Sequence, residues 1–206
     1  MPANQREPAA IAPNTVAADY LADLLHRLEV TPTLLQQRGL LAYPEAAQLT
    51  PLRAGCPDDP ALPGYRCFEL TPEAAAAWER MHAAALEDGI ALTVLSAYRS
   101  VARQCELIER KLAAGTAAAD ILNRLAPPGY SEHHTGRAVD LGSNDGPVLC
   151  ADFADTPAFT WLMQHAGRFG YVLSYPPGNP HGYQYEPWHW CYQPTSPEPS
   201  VNAQPL

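Results

Sequence analysis

The chain has 206 residues, of which 47% are hydrophobic and 17% charged, and a formal net charge of −9. That length buries one substantial core and is too short for two large ones. Scattered basic residues on an acidic chain exclude a sequence-independent nucleic-acid surface, which depends on clustered Lys and Arg, and no apolar run reaches the length of a bilayer span.

Residues 1–13 mix Pro, Ala and polar groups without periodicity and are expected to be disordered. A helix follows, because Val16, Tyr20, Leu21, Leu24, Leu25 and Leu28 recur at helical spacing with Asn14 or Thr15 available as its cap. Repeated prolines and glycines predict an extended, loop-rich segment through residue 70 that packs over the core. Thr71-Pro72-Glu73 opens a second helix, with Trp78, Met81, Ala85 and Leu86 facing inward and Gly89 closing it.

Ile90 to Leu95 reads as a buried strand that delivers Ser96 and Arg99 at its end. A third helix is expected from Ser100 to Ala114 and a shorter one from Ala117 to Leu125, before Pro127-Pro128-Gly129. Ala138 to Leu141 has the character of a short strand. A helix from Thr156-Pro157 to Phe169 turns Phe159, Leu162, Met163 and Ala166 inward, and Gly170 ends it before a strand Tyr171 to Tyr175. Tyr183 to Tyr192 is aromatic-rich and strand-like, and the proline-rich tail from residue 194 is expected to be disordered. Strands interspersed with helices predict an α+β fold. The organisation follows as 1–13 disordered, 14–70 packed on the core, 71–193 the functional unit, and 194–206 a disordered tail.

The N-terminus lacks a basic region followed by an apolar one, so the chain as it stands is expected in the cytoplasm, or in the periplasm if a leader was removed. Cys56 and Cys67 bracket a loop that a disulfide could close, while Cys105, Cys150 and Cys191 leave an odd thiol. Without an export signal, reduced cysteines are expected.

Two polar segments carry the chemistry: Ser131-Glu132-His133-His134-Thr135-Gly136-Arg137-Ala138-Val139-Asp140 and Glu186-Pro187-Trp188-His189-Trp190. Two histidines and a carboxylate make a three-ligand zinc set that leaves one coordination position open. A further carboxylate three residues before the last histidine can serve as base. Spacing alone leaves His133 and His134 as rival ligands. His26, His82, His165 and His181 have no carboxylate or cysteine at useful spacing and read as structural or surface residues.

These segments resemble the zinc D-alanyl-D-alanine carboxypeptidases of the VanY type, LAS-type metallopeptidases whose signatures read Ser-x-His-x-x-Gly-x-Ala-x-Asp and Glu-x-Trp-His. Every fixed position is matched. Ser96-Ala97-Tyr98-Arg99-Ser100 is similar to a further family segment, as is Gly170-Tyr171-Val172-Leu173-Ser174-Tyr175-Pro176, so the likeness runs from residue 70 to residue 192. Three motifs in order form a specific pattern.

The resemblance implies a small antiparallel sheet carrying the zinc site, flanked by several helices, with one Zn2+ held by His133, Asp140 and His189. His134 then falls to the rim or to a place behind the ligands. It implies Glu186 as the general base and Arg99 as the cation facing the oxyanion or the substrate's terminal carboxylate. Ser131, Gln104, Tyr98 and Trp188 become substrate contacts. The implied partner is a peptidoglycan stem peptide or muropeptide, bound by a monomer and cut at D-Ala-D-Ala. The alternatives are L,D-carboxypeptidase or dipeptidase action, and a wall-peptide binding module without turnover, against which the intact Glu186 argues. Cys191 departs from the arginine common in the family after Trp-His-x, which leaves substrate preference open.

Overall fold

A computed structural model describes residues 16–54, 67–144 and 146–194. The expected disorder of residues 1–13 and of the tail beyond residue 194, and the Cys56–Cys67 pairing, lie outside the described residues. Cys105, Cys150 and Cys191 form no disulfide with one another.

The fold is α+β. Helix α1 spans Ala18–Arg27, α2 Pro32–Gln37, α3 Pro72–Glu87, α4 Val101–Ala113, α5 Ala118–Leu122 and α6 Pro157–His165. Strands β1 (Thr50–Pro51) and β2 (Glu69–Leu70) form a small antiparallel pair. The main sheet contains β3 (Leu92–Ser96), β4 (Ala138–Ser143), β5 (Tyr171–Leu173) and β6 (His189–Tyr192), in the order β3-β4-β6-β5. All its pairings are antiparallel. Among the described residues, no helix is long and apolar enough to cross a membrane.

Two cores hold these elements. The larger one gathers Trp78 and Met81 of α3, Leu92 and Leu141 of the sheet, Phe153, Leu162 and Tyr171. The buried Tyr171 hydroxyl donates to the Ala74 carbonyl at 2.9 Å, which satisfies its polar end. A smaller core joins Leu24 and Leu28 of α1 to Cys105 and Ile108 of α4 and Ile121 of α5.

The elements follow the expected order, with several corrections. Helix α1 starts after Ala17, which contributes no side-chain cap, while Asn14 and Thr15 lie outside the described residues. Leu86 and Met163 are 52% and 56% exposed rather than inward. Each directly follows a buried residue, Ala85 or Leu162, and successive helical positions are rotated by about 100°. The helix expected to Phe169 stops at His165 and continues as a 3₁₀ turn, Ala166–Phe169. The segment expected as one strand from Tyr183 is strand only from His189, because Pro187 has no N–H to give a ladder. Instead the Asn179 amide donates to the Tyr183 and Pro176 carbonyls, and Glu186 N–H donates to the Tyr175 carbonyl.

Residues 31–54 are more structured than expected: Thr31 caps α2 by accepting from Leu34 N–H at 3.1 Å. From there the chain straps the 131–136 loop. Tyr43 N–H donates to the Gly129 carbonyl and Ala46 N–H to the His134 carbonyl, each at 2.8 Å.

Candidate metal centre and its cleft

Asp140 lies on the central strand β4, directly across the ladder from His189 on β6. Opposed residues in an antiparallel pair place their side chains on one face of the sheet. His133 comes from the 3₁₀ turn Glu132–Thr135, which ends at Gly136 with φ at 64°, a left-handed conformation that glycine adopts without strain. Three donor atoms, one each from His133, Asp140 and His189, lie within 4.8 Å of one another, and all three residues are buried. His133 Nε2 stands 3.3 Å from Asp140 Oδ2, and His189 Nδ1 stands 3.0 Å from Asp140 Oδ1.

The rival histidine is bonded differently. His134 Nδ1 donates to the Arg99 carbonyl at 2.6 Å, and its Nε2 accepts from Gly129 N–H at 3.1 Å. Both ring nitrogens are therefore committed to backbone, and burial pushes its pKa down, consistent with the neutral ring. His133 instead uses only Nδ1, donated to the Ala97 carbonyl at 2.7 Å, which leaves the Nε2 lone pair facing Asp140.

Without an ion, the cluster's electrostatics are set by its own charges. Burial opposes ionisation of Asp140, but His133 and His189 hold its carboxyl far below the usual range. Burial likewise disfavours imidazolium at His189, yet hydrogen bonds to Asp140 and Glu132 raise its pKa to about 10. Two imidazoles and a carboxylate converging on one point are a donor set suited to zinc. A divalent cation among the three donors would supply positive charge beside Asp140.

These residues border a cleft of about 180 Å³, which also exposes Arg99, Ser131, Glu186 and Trp188. Glu186 is only 7% exposed, and burial, with Asp140 adding to it, pushes its carboxyl up to about 7 against the pull of His189, Arg99 and Arg124. Such a value suits proton transfer near neutrality. Arg99 reaches the cleft from the loop after β3, where the sheet register shifts between Val94 and Ser96. Its guanidinium donates to Gln104 Oε1 at 2.9 Å and Ser96 Oγ at 3.1 Å, and lies 3.9 Å from Asp140 Oδ2.

Seven of the nine residues singled out from the sequence thus meet at the cleft; Gln104 and Tyr98 do not. Gln104 is fully buried behind Arg99, its amide nitrogen donating to the Ala126 carbonyl at 2.7 Å. The Tyr98 hydroxyl turns to Glu45 Oε2 at 3.2 Å and lines a neighbouring groove. Sequence reasoning also missed residues. Glu132 Oε2 lies 2.9 Å from His189 Nε2, and Tyr175 stacks on the His189 ring at 4.7 Å. The cue for Glu132 was a carboxylate next to a candidate ligand histidine, and the cue for Tyr175 was its place in the Gly170–Pro176 segment.

An antiparallel sheet presenting a His-Asp-His cluster, with a buried carboxyl in the same cleft, is compatible with a single-metal site. The family described as VanY, D-alanyl-D-alanine carboxypeptidase, matches residues 68–195, and the chain belongs to this family. Among its relatives is the bifunctional D-Ala-D-Ala dipeptidase and D-Ala-D-Ala carboxypeptidase VanXYC of Enterococcus gallinarum. The two are 36% identical over 129 residues, which cover 60% of this chain and 66% of that one. The chain spans 66% or less of the length of the curated relatives it matches. A similar solved structure is the LdcB LD-carboxypeptidase, with a TM-score of 0.62 and 29% identity over 72% of this chain and 69% of that one. Another is the D,D-pentapeptidase VanY of a VanB-type vancomycin resistance cassette, in complex with Zn(II). Its TM-score is 0.55 and its identity 25%, over 76% of this chain and 87% of that one.

Proposed function

We propose that the chain is a zinc-dependent carboxypeptidase that hydrolyses the terminal D-Ala-D-Ala bond of peptidoglycan stem peptides or their precursors, acting as a monomer through a catalytic unit at 71–193. The observation that carries this reading is Glu186: a buried carboxyl raised to about 7, in the same cleft as a three-donor cluster. A structural metal site needs no such neighbour.

His133, Asp140 and His189 would hold the ion. Zinc bound there supplies Lewis acidity, which polarises a carbonyl and lowers the pKa of water beside it to about 7. Glu186 takes a proton from the attacking water and returns it to the leaving amine as the C–N bond breaks. Arg99, its guanidinium fixed by Gln104 and Ser96, offers positive charge to the oxyanion that develops on the carbonyl. Ser131 and Trp188, both on the cleft wall, position the peptide.

A second reading, cleavage of the L,D bond of tetrapeptides, is favoured by the likeness to the LD-carboxypeptidase structure at TM-score 0.62. Mass spectrometry of a muramyl pentapeptide and a muramyl tetrapeptide, each incubated with the zinc-loaded protein, separates the two. Loss of one alanine, absent with Glu186→Gln, supports D,D cleavage. An intact pentapeptide beside a shortened tetrapeptide supports the L,D reading, and two intact peptides reject both.

A further inference from the structure

We infer that Glu132 is a positioning residue that fixes His189 with its Nδ1 edge, rather than Nε2, toward the metal. This rests on the reading that the cluster holds a divalent ion, and not on any peptide being cleaved.

A ligand imidazole is neutral and carries one N–H, so whatever accepts that proton decides which nitrogen is free for the metal. Around His189 the choice is between Nδ1, 3.0 Å from Asp140 Oδ1, and Nε2, 2.9 Å from Glu132 Oε2. Asp140 is itself one of the clustered donors and Glu132 is not. The Glu132 carboxylate therefore accepts a hydrogen bond from Nε2–H, which keeps the proton on that nitrogen and turns the Nδ1 lone pair inward. Tyr175, stacked on the ring with 29° between planes, resists its rotation.

His133 is set the opposite way, by a neutral acceptor. Its Nδ1 donates to the Ala97 carbonyl, so Nε2 faces the cluster. The two imidazoles thus present different nitrogens, each chosen by its outer partner. An anionic acceptor also makes the ring a more basic ligand than a carbonyl does.

The local backbone explains how adjacent residues reach different targets. In a 3₁₀ turn, with three residues per turn, consecutive side chains diverge by about 120°. Within Glu132–Thr135, Glu132 meets His189, His133 meets Asp140, and His134 runs back to Gly129 and Arg99.

Zinc affinity, measured by chelator competition on the full chain, tests the assignment with Glu132→Ala and Glu132→Gln. Ala removes the acceptor and should weaken zinc binding by about 10- to 100-fold. Gln retains an oxygen that accepts from Nε2–H and should bind zinc more tightly than the Ala variant. Wild-type affinity in the Ala variant, or equal losses in the two, overturns the proposal. Should the Ala variant fail to fold, 15N NMR of the zinc-loaded wild type still decides: the His189 proton belongs on Nε2, and a proton on Nδ1 overturns the assignment. A wild-type chain that binds no zinc overturns both this inference and the reading beneath it.

Discussion

The backbone of Gly136 lies against the side chain of Ala46, so that a β-carbon on Gly136 would stand 3.0 Å from Ala46 Cβ and equally close to Leu49 Cδ2. This contact ties the strap of residues 43–49 to the loop that carries His133. Gly136→Ala therefore combines left-handed strain at φ 64° with overpacking. It should cost about 1–3 kcal/mol in urea unfolding and weaken zinc binding, because the loop is displaced. Unchanged stability would remove the strap from the account of the site.

The two neighbouring histidines should separate cleanly. His133→Ala is expected to abolish stoichiometric zinc, measured by elemental analysis, and Asp140→Ala to do the same. His134→Ala should keep the metal but lower stability, by on the order of 1–3 kcal/mol for each backbone group left unpaired. Full zinc in either of the first two variants sinks the ligand set.

Glu186→Gln should retain zinc and reduce kcat by about 10²- to 10⁴-fold, the usual worth of a general base. The ionised carboxylate is the working form, and burial raises its pKa in the metal-free protein to about 7. Activity should accordingly rise with pH along an acid limb ending near that value, or lower where a bound cation stabilises the carboxylate. A flat kcat/KM from acid to neutral pH counts against Glu186 as base.

The raised pKa has a stability consequence of definite sign. The folded pKa lies above the ordinary carboxyl value of 4.5, so stability is lost as pH climbs from that value through about 7 and then levels off. Metal-free Glu186→Gln should melt higher than metal-free wild type at pH 8, and the gap should close toward pH 4. A gap that widens on acidification would contradict the burial effect.

Gln104 lies outside the cleft but holds Arg99, so Gln104→Ala should lower kcat with little change in KM. The guanidinium loses its 2.9 Å partner, and the Ala126 carbonyl on the cleft wall loses its 2.7 Å donor. A rise in KM alone would restore Gln104 as a substrate contact.

What the sequence determined by itself was chemistry carried by nearest neighbours. The order of helices and strands could be read from periodicity and from punctuation such as Pro72 in the first turn of α3 and Gly89 just beyond its end. The donor types could be read from residue spacing, and His133, Asp140, His189 and Glu186 were named from the motifs. Local patterns record which residues are available and where the backbone must turn.

Tertiary structure decided how those residues are used. Asp140 and His189 are 49 positions apart, and only the β4–β6 register sets them side by side. The different bonding of His134 depends on the carbonyl of Arg99 and the N–H of Gly129, backbone groups that carry no side-chain identity. Gln104 looks like a substrate contact until packing hides it behind Arg99, and Glu132 has no assigned role until β6 brings His189 against it. Each outcome turns on a nonlocal hydrogen bond, whose partner is fixed by strand register and loop packing rather than by the residues on either side.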